Sequence, residues 1–419
     1  MIAGGSVADG MDRRAFLERL LAFDTTDGDE GPAQRWLRDR LDELGFETYE
    51  WTADPAGLAE HPSFPDEPDL SYADRPSVAG VLEFDREGPT LVLDGHVDVV
   101  PANEEAWSSP PFEPTWDGDR LTARGAADMK SGLAACVFAA LALRDREADG
   151  GDVGGRVVVE SVAGEEEGGV GAAAAALDNP YPFERDACIV AEPTELRPVV
   201  ASEGSAMMRL ELRGRGAHAA TRWNGEDVLD RFERVRRAFR DLERERGERV
   251  VHPLYDDYPV PWPVVCGRVE AGDWASTVPA DLVSEWRIGV APGETVAGVE
   301  DAFRERLGTV VAEDPWLQEH PPALERFSVQ FEPSEISPDE PVVRAVQSGM
   351  DAVGLAGTEP VGVTYGADAR HYIEAGVPTV MFGPGSIEQA HFPDETVVWE
   401  DVLTAGQVLT DAAAQFLKS

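Results

Sequence analysis

LVLDGHVDVVP, Leu91 to Pro101, is an apolar run that carries a histidine, then an aspartate two residues later, and stops at a proline. A strand sends alternate side chains to one face. His96 and Asp98 are therefore expected to point the same way at the end of a buried strand. A histidine beside a carboxylate is how proteins build a metal ligand and the partner that orients it. A core histidine satisfied by its neighbour has the same local pattern. Whether the pair is functional depends on what the rest of the chain adds to it.

Working outward, strand-like and helix-like segments alternate on both sides. Residues 12–22 and 31–45 have helical spacing, and FETYEW and VAGVLEF (78–84) read as strands. Residues 53–78, rich in Pro, Asp and Glu, read as a surface loop. LTARGAADMKSGLAACVFAALALRD gives a short strand, a turn and a helix from about Lys130 to Arg144. GRVVVESVAGEEEGGVGAAAAAL repeats strand, acidic loop and helix, and DACIVAEPTEL is a further strand ending in acids. Such alternation indicates an α/β sheet, whose sites lie at the C-terminal ends of the strands.

Near residue 200 the pattern changes. SAMMRLELRG alternates as a half-exposed strand, and a charged helix follows at about 226–245. Strand-like runs at 260–272 and 282–292, a helix at 296–311 and a strand at 323–331 complete a β-α-β-β-α-β order, that of a ferredoxin-like unit. From Asp339 the helix DEPVVRAVQSGMDAVG and the strand PTVMFGPG return to the first pattern. The expected architecture is an α/β domain, a central mixed sheet flanked by helices, over 1–200 and 336–419. An α+β lid or dimerisation domain is inserted at 201–335.

Composition narrows the function. Thirty-six basic against eighty acidic residues give a net charge of −44. Only Lys130 and Lys418 are lysines. Self-repulsion of this size destabilises a compact state, and molar salt, with a Debye length of about 3 Å, removes most of it. Adaptation to a high-salt interior is the expectation. Nucleic acid and anionic membrane surfaces are excluded as partners on charge. No apolar run approaches the ~20 residues of a membrane span, and the first residues lack a leader's apolar core. A cytoplasmic protein is expected, with Met11 a possible true start. Cys136, Cys188 and Cys266 are too few and too scattered for a disulfide framework or a cysteine zinc site.

Five segments hold residue types suited to one metal centre. They are His96 with Asp98, Asp128 in RGAADMKSG, Glu165 to Glu167 in AGEEEGG, Glu192 in AEPTE, and His391 in GPGSIEQAHFPDE. Imidazole and carboxylate donors suit zinc, and also cobalt or manganese. Singly, each has an ordinary explanation: a helix cap for Asp128, solvated acids for the glutamates. Together they recur at successive strand ends in glycine-rich settings, which those explanations do not account for.

LDGHVDVVP, RGAADMKSG, GEEEGG, AEPT and AHFPDE, in this order, resemble the motifs of the M20 metallopeptidase family of deacetylases, desuccinylases, aminoacylases and carboxypeptidases. The resemblance implies two divalent metal ions, zinc or else cobalt or manganese. His96 and Glu192 would hold one, Glu166 and His391 the other, and Asp128 would bridge them. It further implies a cis peptide after Asp128, Asp98 orienting His96, and Glu165 as general base. Glu167 fills a variable position and is expected to be solvated. His218 in GRGAHAATRW matches a lid histidine that stabilises the oxyanion, often from a partner subunit of a homodimer. Arg287 matches a lid arginine, and Arg370 in GADARHY an arginine that grips a substrate carboxylate, with Asp368 orienting it. Gly383 in FGPGS would let the backbone approach the substrate. Ser276 in STVP stands where the family often has an amide, a departure that touches substrate preference and leans towards a deacylase.

The expected activity is hydrolysis of an N-acyl amino acid or related small amide, with dipeptidase or carboxypeptidase as the alternative. A mononuclear iron oxygenase built on His96, Asp98 and His391 is a remote rival. It leaves Asp128, Glu166 and Glu192 without a role and expects a β-rich barrel. A non-catalytic metal- or peptide-binding relative would require a missing ligand or base, and none is missing.

Overall fold

A computed structural model describes residues 11–59, 61–64 and 75–418. The His96 segment forms a strand, Thr90–His96, buried at every position. Arg156–Val162 and Ala187–Val190 pair with it on either side, both parallel to it. Strands buried on both faces carry continuous apolar sequence rather than alternation, as these do. From one edge, the large sheet runs Glu47–Trp51, Ser77–Glu83, Arg156–Val162, Thr90–His96, Ala187–Val190, Thr379–Met381, Val199–Ser202 and Ser334–Glu335. Val361–Val363 also pairs with Val199–Ser202. The centre is parallel and the outer pairings are largely antiparallel, so the sheet is mixed.

Helices flank it. Lys130–Ala148 is buried along most of its length and packs on Thr90–His96 and on Trp399–Phe416, which also packs on Pro341–Val353. The central strand stops at His96 rather than continuing to Val100. The neighbouring strand ends at Val162, whose carbonyl accepts the last rung from the Val97 N–H (3.0 Å). Beyond it no described strand pairs with the segment; Thr25 takes over, its hydroxyl donating to the Val97 carbonyl (2.7 Å) and its carbonyl accepting from the Val99 N–H (3.4 Å).

The second sheet has the order Val264–Ala271, Asp281–Val290, Gly204–Arg213, Ala323–Arg326, with every neighbouring pair antiparallel. Helices Val228–Arg249 and Val296–Ala312 complete the ferredoxin-like unit. It has its own apolar core, in which Trp286 and Ile288 pack with Phe239 and Phe303. Asp227 caps its first helix by accepting from the Leu229 N–H at 2.9 Å. The strand expected to reach residue 331 is ladder-paired only over Ala323–Arg326. The chain enters this unit through Glu203, between two strands, and returns through residues 327–333.

The 53–78 stretch is more ordered than its composition suggests. Pro55–Leu58 is a short helix, and Leu58 and Phe64 pack against Val170 and Ala173. Residues 65–74, also read as loop, lie outside the described residues, as do residues 1–10. Among the described residues no helix is long and apolar enough to cross a membrane.

Candidate metal centre

The strand order brings the five segments together. Glu165 and Glu166 follow Arg156–Val162, His96 ends Thr90–His96, Glu192 follows Ala187–Val190, and His391 lies beyond Thr379–Met381. These four strands are consecutive in the sheet. Asp128 sits on the turn that opens Lys130–Ala148, and its peptide bond to Met129 is cis.

The donors form two triplets. One ligand atom each from His96, Asp128 and Glu192 lie within 4.8 Å of one another, as do those of Asp128, Glu166 and His391. Asp128 belongs to both. Its Oδ1 is 3.2 Å from His96 Nε2, and its Oδ2 is 3.6 Å from His391 Nε2. His391 Nε2 is also 3.1 Å from Glu166 Oε1.

Charge in the cluster is unbalanced. Burial pushes the carboxyls of Glu165 and Glu192 well above their usual range, and that of Glu166 upward against a hydrogen bond from His391. Burial also works against Asp128, but His96, His391 and Arg124 overcome it and hold its carboxyl low. Burial works against protonation of His96, and the acids around it, Asp128 first, outweigh it and raise its imidazole. Glu165 Oε1 is buried without a hydrogen-bond partner. Converging carboxylate and imidazole atoms with surplus negative charge fit divalent cations, which would replace the missing positive charge.

Supporting groups fix these donors. Asp98 does so differently from expectation. Its carbonyl oxygen, not its carboxylate, meets His96 Nδ1 at 2.9 Å; the carboxylate is 3.7 Å away. The carboxylate accepts from the backbone N–H groups of Gly164 (2.9 Å) and Glu166 (3.0 Å). Asp98→Asn is therefore expected to leave His96 in place and loosen the acidic loop. Turnover should fall about tenfold or more while the metal at His96 is retained; metal analysis beside kinetics checks this.

Glu395 was not singled out from the sequence. Its buried carboxylate accepts from the N–H groups of Gly125, Ala127 and Asp128 and from Arg124, at 2.7–3.0 Å. It thereby holds the turn that presents Asp128. Its signal was its place in AHFPDE, the motif that carries His391. Glu167 is not simply solvated: it pairs with Arg75, which is buried against Glu30.

A cleft of about 330 Å³ opens beside the donors, walled by Met207, Val329, Phe331, Tyr365 and Ile387, with Arg287 on its rim. Arg287 donates to Glu203 Oε1 (2.9 Å) and to the Thr364 carbonyl (3.0 Å). Arg370 does not line the cleft. It is buried, and donates to the carbonyls of Ala367 (2.9 Å) and Gly168 (2.7 Å). Asp368 makes no hydrogen bond through its carboxylate, so it does not orient Arg370 that way. Gly383 packs against the Ala191 and Glu192 carbonyls, where a Cβ would come within 2.4 and 2.5 Å. Its role is close backbone packing beneath Glu192. His218 and Ser276 are exposed on neighbouring loops of the inserted unit, joined by a hydrogen bond from the Ala219 N–H to the Ser276 carbonyl (2.9 Å), and neither lines the cleft.

A mixed α/β sheet with carboxylate and imidazole donors gathered at its strand ends defines a metallohydrolase site. The sequence profile of Peptidase family M20/M25/M40 matches residues 92–415, and the chain belongs to that family. It is 27% identical over 327 residues to the acetylornithine deacetylase of Edwardsiella ictaluri, covering 78% of this chain and 80% of that one. It is 25% identical over 415 residues to the N-formyl-4-amino-5-aminomethyl-2-methylpyrimidine deformylase of Halalkalibacterium halodurans, covering 91% and 88%. The M20 family metallo-carboxypeptidase Sso-CP2 of Sulfolobus solfataricus shares the fold, with a TM-score of 0.73, 17% identity and 97% and 99% coverage. The chain is thus a metal-dependent hydrolase of amide or peptide bonds.

Proposed function

We propose that the chain is a dinuclear amidohydrolase that removes an acyl group from an N-acyl amino acid or related small amide. The observation that carries this is the pair of donor triplets sharing Asp128, with the unpartnered Glu165 Oε1 beside them. His96 and Glu192 would hold one ion and Glu166 and His391 the other, with Asp128 available to both; zinc suits these donors, with cobalt or manganese next. When bound, the two ions supply a water activated at neutral pH and polarise the scissile carbonyl.

The chain's own residues then do the rest. Glu165 takes the water's proton at Oε1, which is buried without another partner, and delivers it to the leaving nitrogen. Asp98 and Glu395 keep the donors in register through backbone N–H groups. The inserted unit, whose elements run from Gly204 to Arg326, acts as a lid that brings His218 to the oxyanion, from a partner subunit in a homodimer. Exposed Trp223 and Trp274, close in sequence to His218 and Ser276, favour such an association. Arg287 and Ser276 contribute to substrate selection.

Acyl removal ranks first because the curated relatives are named a deacetylase and a deformylase. Arg287, the cation lining the cleft among the described residues, is already paired with Glu203. A carboxypeptidase that relies on a free cation ranks second. The test is turnover of N-acetyl, N-formyl and N-succinyl amino acids and of dipeptides, at high salt with zinc, cobalt or manganese. Hydrolysis of the acyl substrates supports the proposal, and exclusive cleavage of dipeptides sinks it.

The net charge of −44 supports a cytoplasm of high salt as the working environment. Raising salt from about 0.1 M to 1 M shortens the Debye length from about 10 to 3 Å. The melting temperature should rise steadily across that range; a flat or falling curve contradicts the adaptation.

A further inference from the structure

We infer that Arg370 is a positioning residue that ties the loop carrying Glu165 and Glu166 to the segment by which the inserted unit rejoins the main sheet. The inference rests on Glu165 as the base, but its contacts stand independently of any substrate.

On one side Arg370 holds the loop. Its guanidinium donates to the Gly168 carbonyl at 2.7 Å, and the same oxygen accepts from His371 Nε2 at 3.0 Å. Two donors on one carbonyl leave it little freedom. The loop is itself a tight turn, with the Gly168 N–H on the Glu165 carbonyl (2.9 Å) and the Gly169 N–H on the Gly164 carbonyl (2.9 Å). Gly168 has φ 95° and Gly169 φ 76°, conformations that other residues rarely adopt. Fixing the Gly168 carbonyl therefore fixes the backbone from which both glutamates project.

On the other side Arg370 meets the returning segment. Its guanidinium lies over the Phe331 ring, 4.1 Å from the centroid, and its Nε is 3.4 Å from Glu332 Oε2. Val329 of the same segment packs on Gly168, where a Cβ would come within 3.2 Å of it. Phe331 exchanges backbone hydrogen bonds with Ser205, at 2.8 and 3.0 Å, so the incoming and outgoing connections are clasped together. Any shift of the inserted unit that moves Phe331 is thus felt at the Gly168 carbonyl. Only a planar guanidinium can stack on the ring while donating in its own plane, which separates arginine from lysine here. Its Nη1 and Nη2 donate to Ala367 and Gly168, its Nε faces Glu332 without a hydrogen bond, and its side chain is buried away from the cleft, so Arg370 is not presented to a substrate carboxylate.

The test uses the full-length chain with Arg370→Lys, Arg370→Gln and Phe331→Leu. Hydrogen exchange at the amides of residues 164–169 is measured on the metal-free protein, and kinetics on the loaded protein with paired substrates bearing a free or an amidated carboxylate. Expected results are faster exchange at 164–169 in all three variants, with other regions still protected. Arg370→Lys should also lower kcat about 10- to 100-fold on both substrates, with KM within about twofold. Unchanged exchange at 164–169, or a rise in KM confined to the free carboxylate, overturns the inference. Should Arg370→Gln fail to fold, Arg370→Lys and Phe331→Leu decide. If the wild-type chain hydrolyses none of the amides, the proposed function fails while exchange still decides the positioning role.

Discussion

Glu165→Gln lowers kcat by about 10²- to 10⁴-fold, the usual range for loss of a general acid–base group, while metal content stays as in the wild type. The expectation follows from where Glu165 stands. It belongs to neither donor triplet, yet it adjoins Glu166, which does. Its Oε1 is buried without a partner, and the residue lines the cleft together with Asp128, Glu166, Glu192 and His391. A glutamine keeps the shape and the packing but cannot accept a proton. The variant should therefore bind substrate and metal and fail at proton transfer. Full activity would remove Glu165 as the base, and loss of metal would make it a ligand instead.

Asp128→Ala is expected to empty both metal positions and abolish turnover. Each other donor serves one triplet, and Asp128 alone faces both histidines through separate oxygens. His96 with Glu192, or Glu166 with His391, would be left as two-donor sites, below the three protein ligands typical of a catalytic zinc. Two-donor sites of this kind lose affinity by orders of magnitude. The turn itself should survive, because Glu395 holds it through backbone N–H groups that alanine retains. Metal analysis after dialysis, with melting curves as a folding control, checks this. Retention of one ion per chain would contradict a bridging role.

The donors were legible in the sequence because a metal site needs particular residue types at strand ends, and glycine-rich turns mark those ends. The alternation of strands and helices, and its change near residue 200, likewise carried the division into a large mixed sheet and an inserted unit with its own four-stranded sheet. What supports the donors was not legible. Glu395 acts by accepting from backbone N–H groups, and in a chain with eighty acids nothing in its type sets it apart. Asp98 was assigned by strand alternation, which presumes a strand that continues; the strand ends at His96 and the carboxylate turns to the next loop. Arg370 shows the limit most clearly. The family resemblance implied a substrate carboxylate for it; its hydrogen-bond partner in the structure, the Gly168 carbonyl, is 202 residues away in sequence and is brought close only by the fold.

The central claim is that Asp128 joins two metal positions in one site. Crystals of the zinc-loaded protein, measured at energies above and below the zinc absorption edge, test it directly. Two anomalous peaks are predicted, one touching His96 and Glu192, the other Glu166 and His391, both touching Asp128. A single peak in fully loaded crystals, or two peaks that do not share Asp128, would contradict the account.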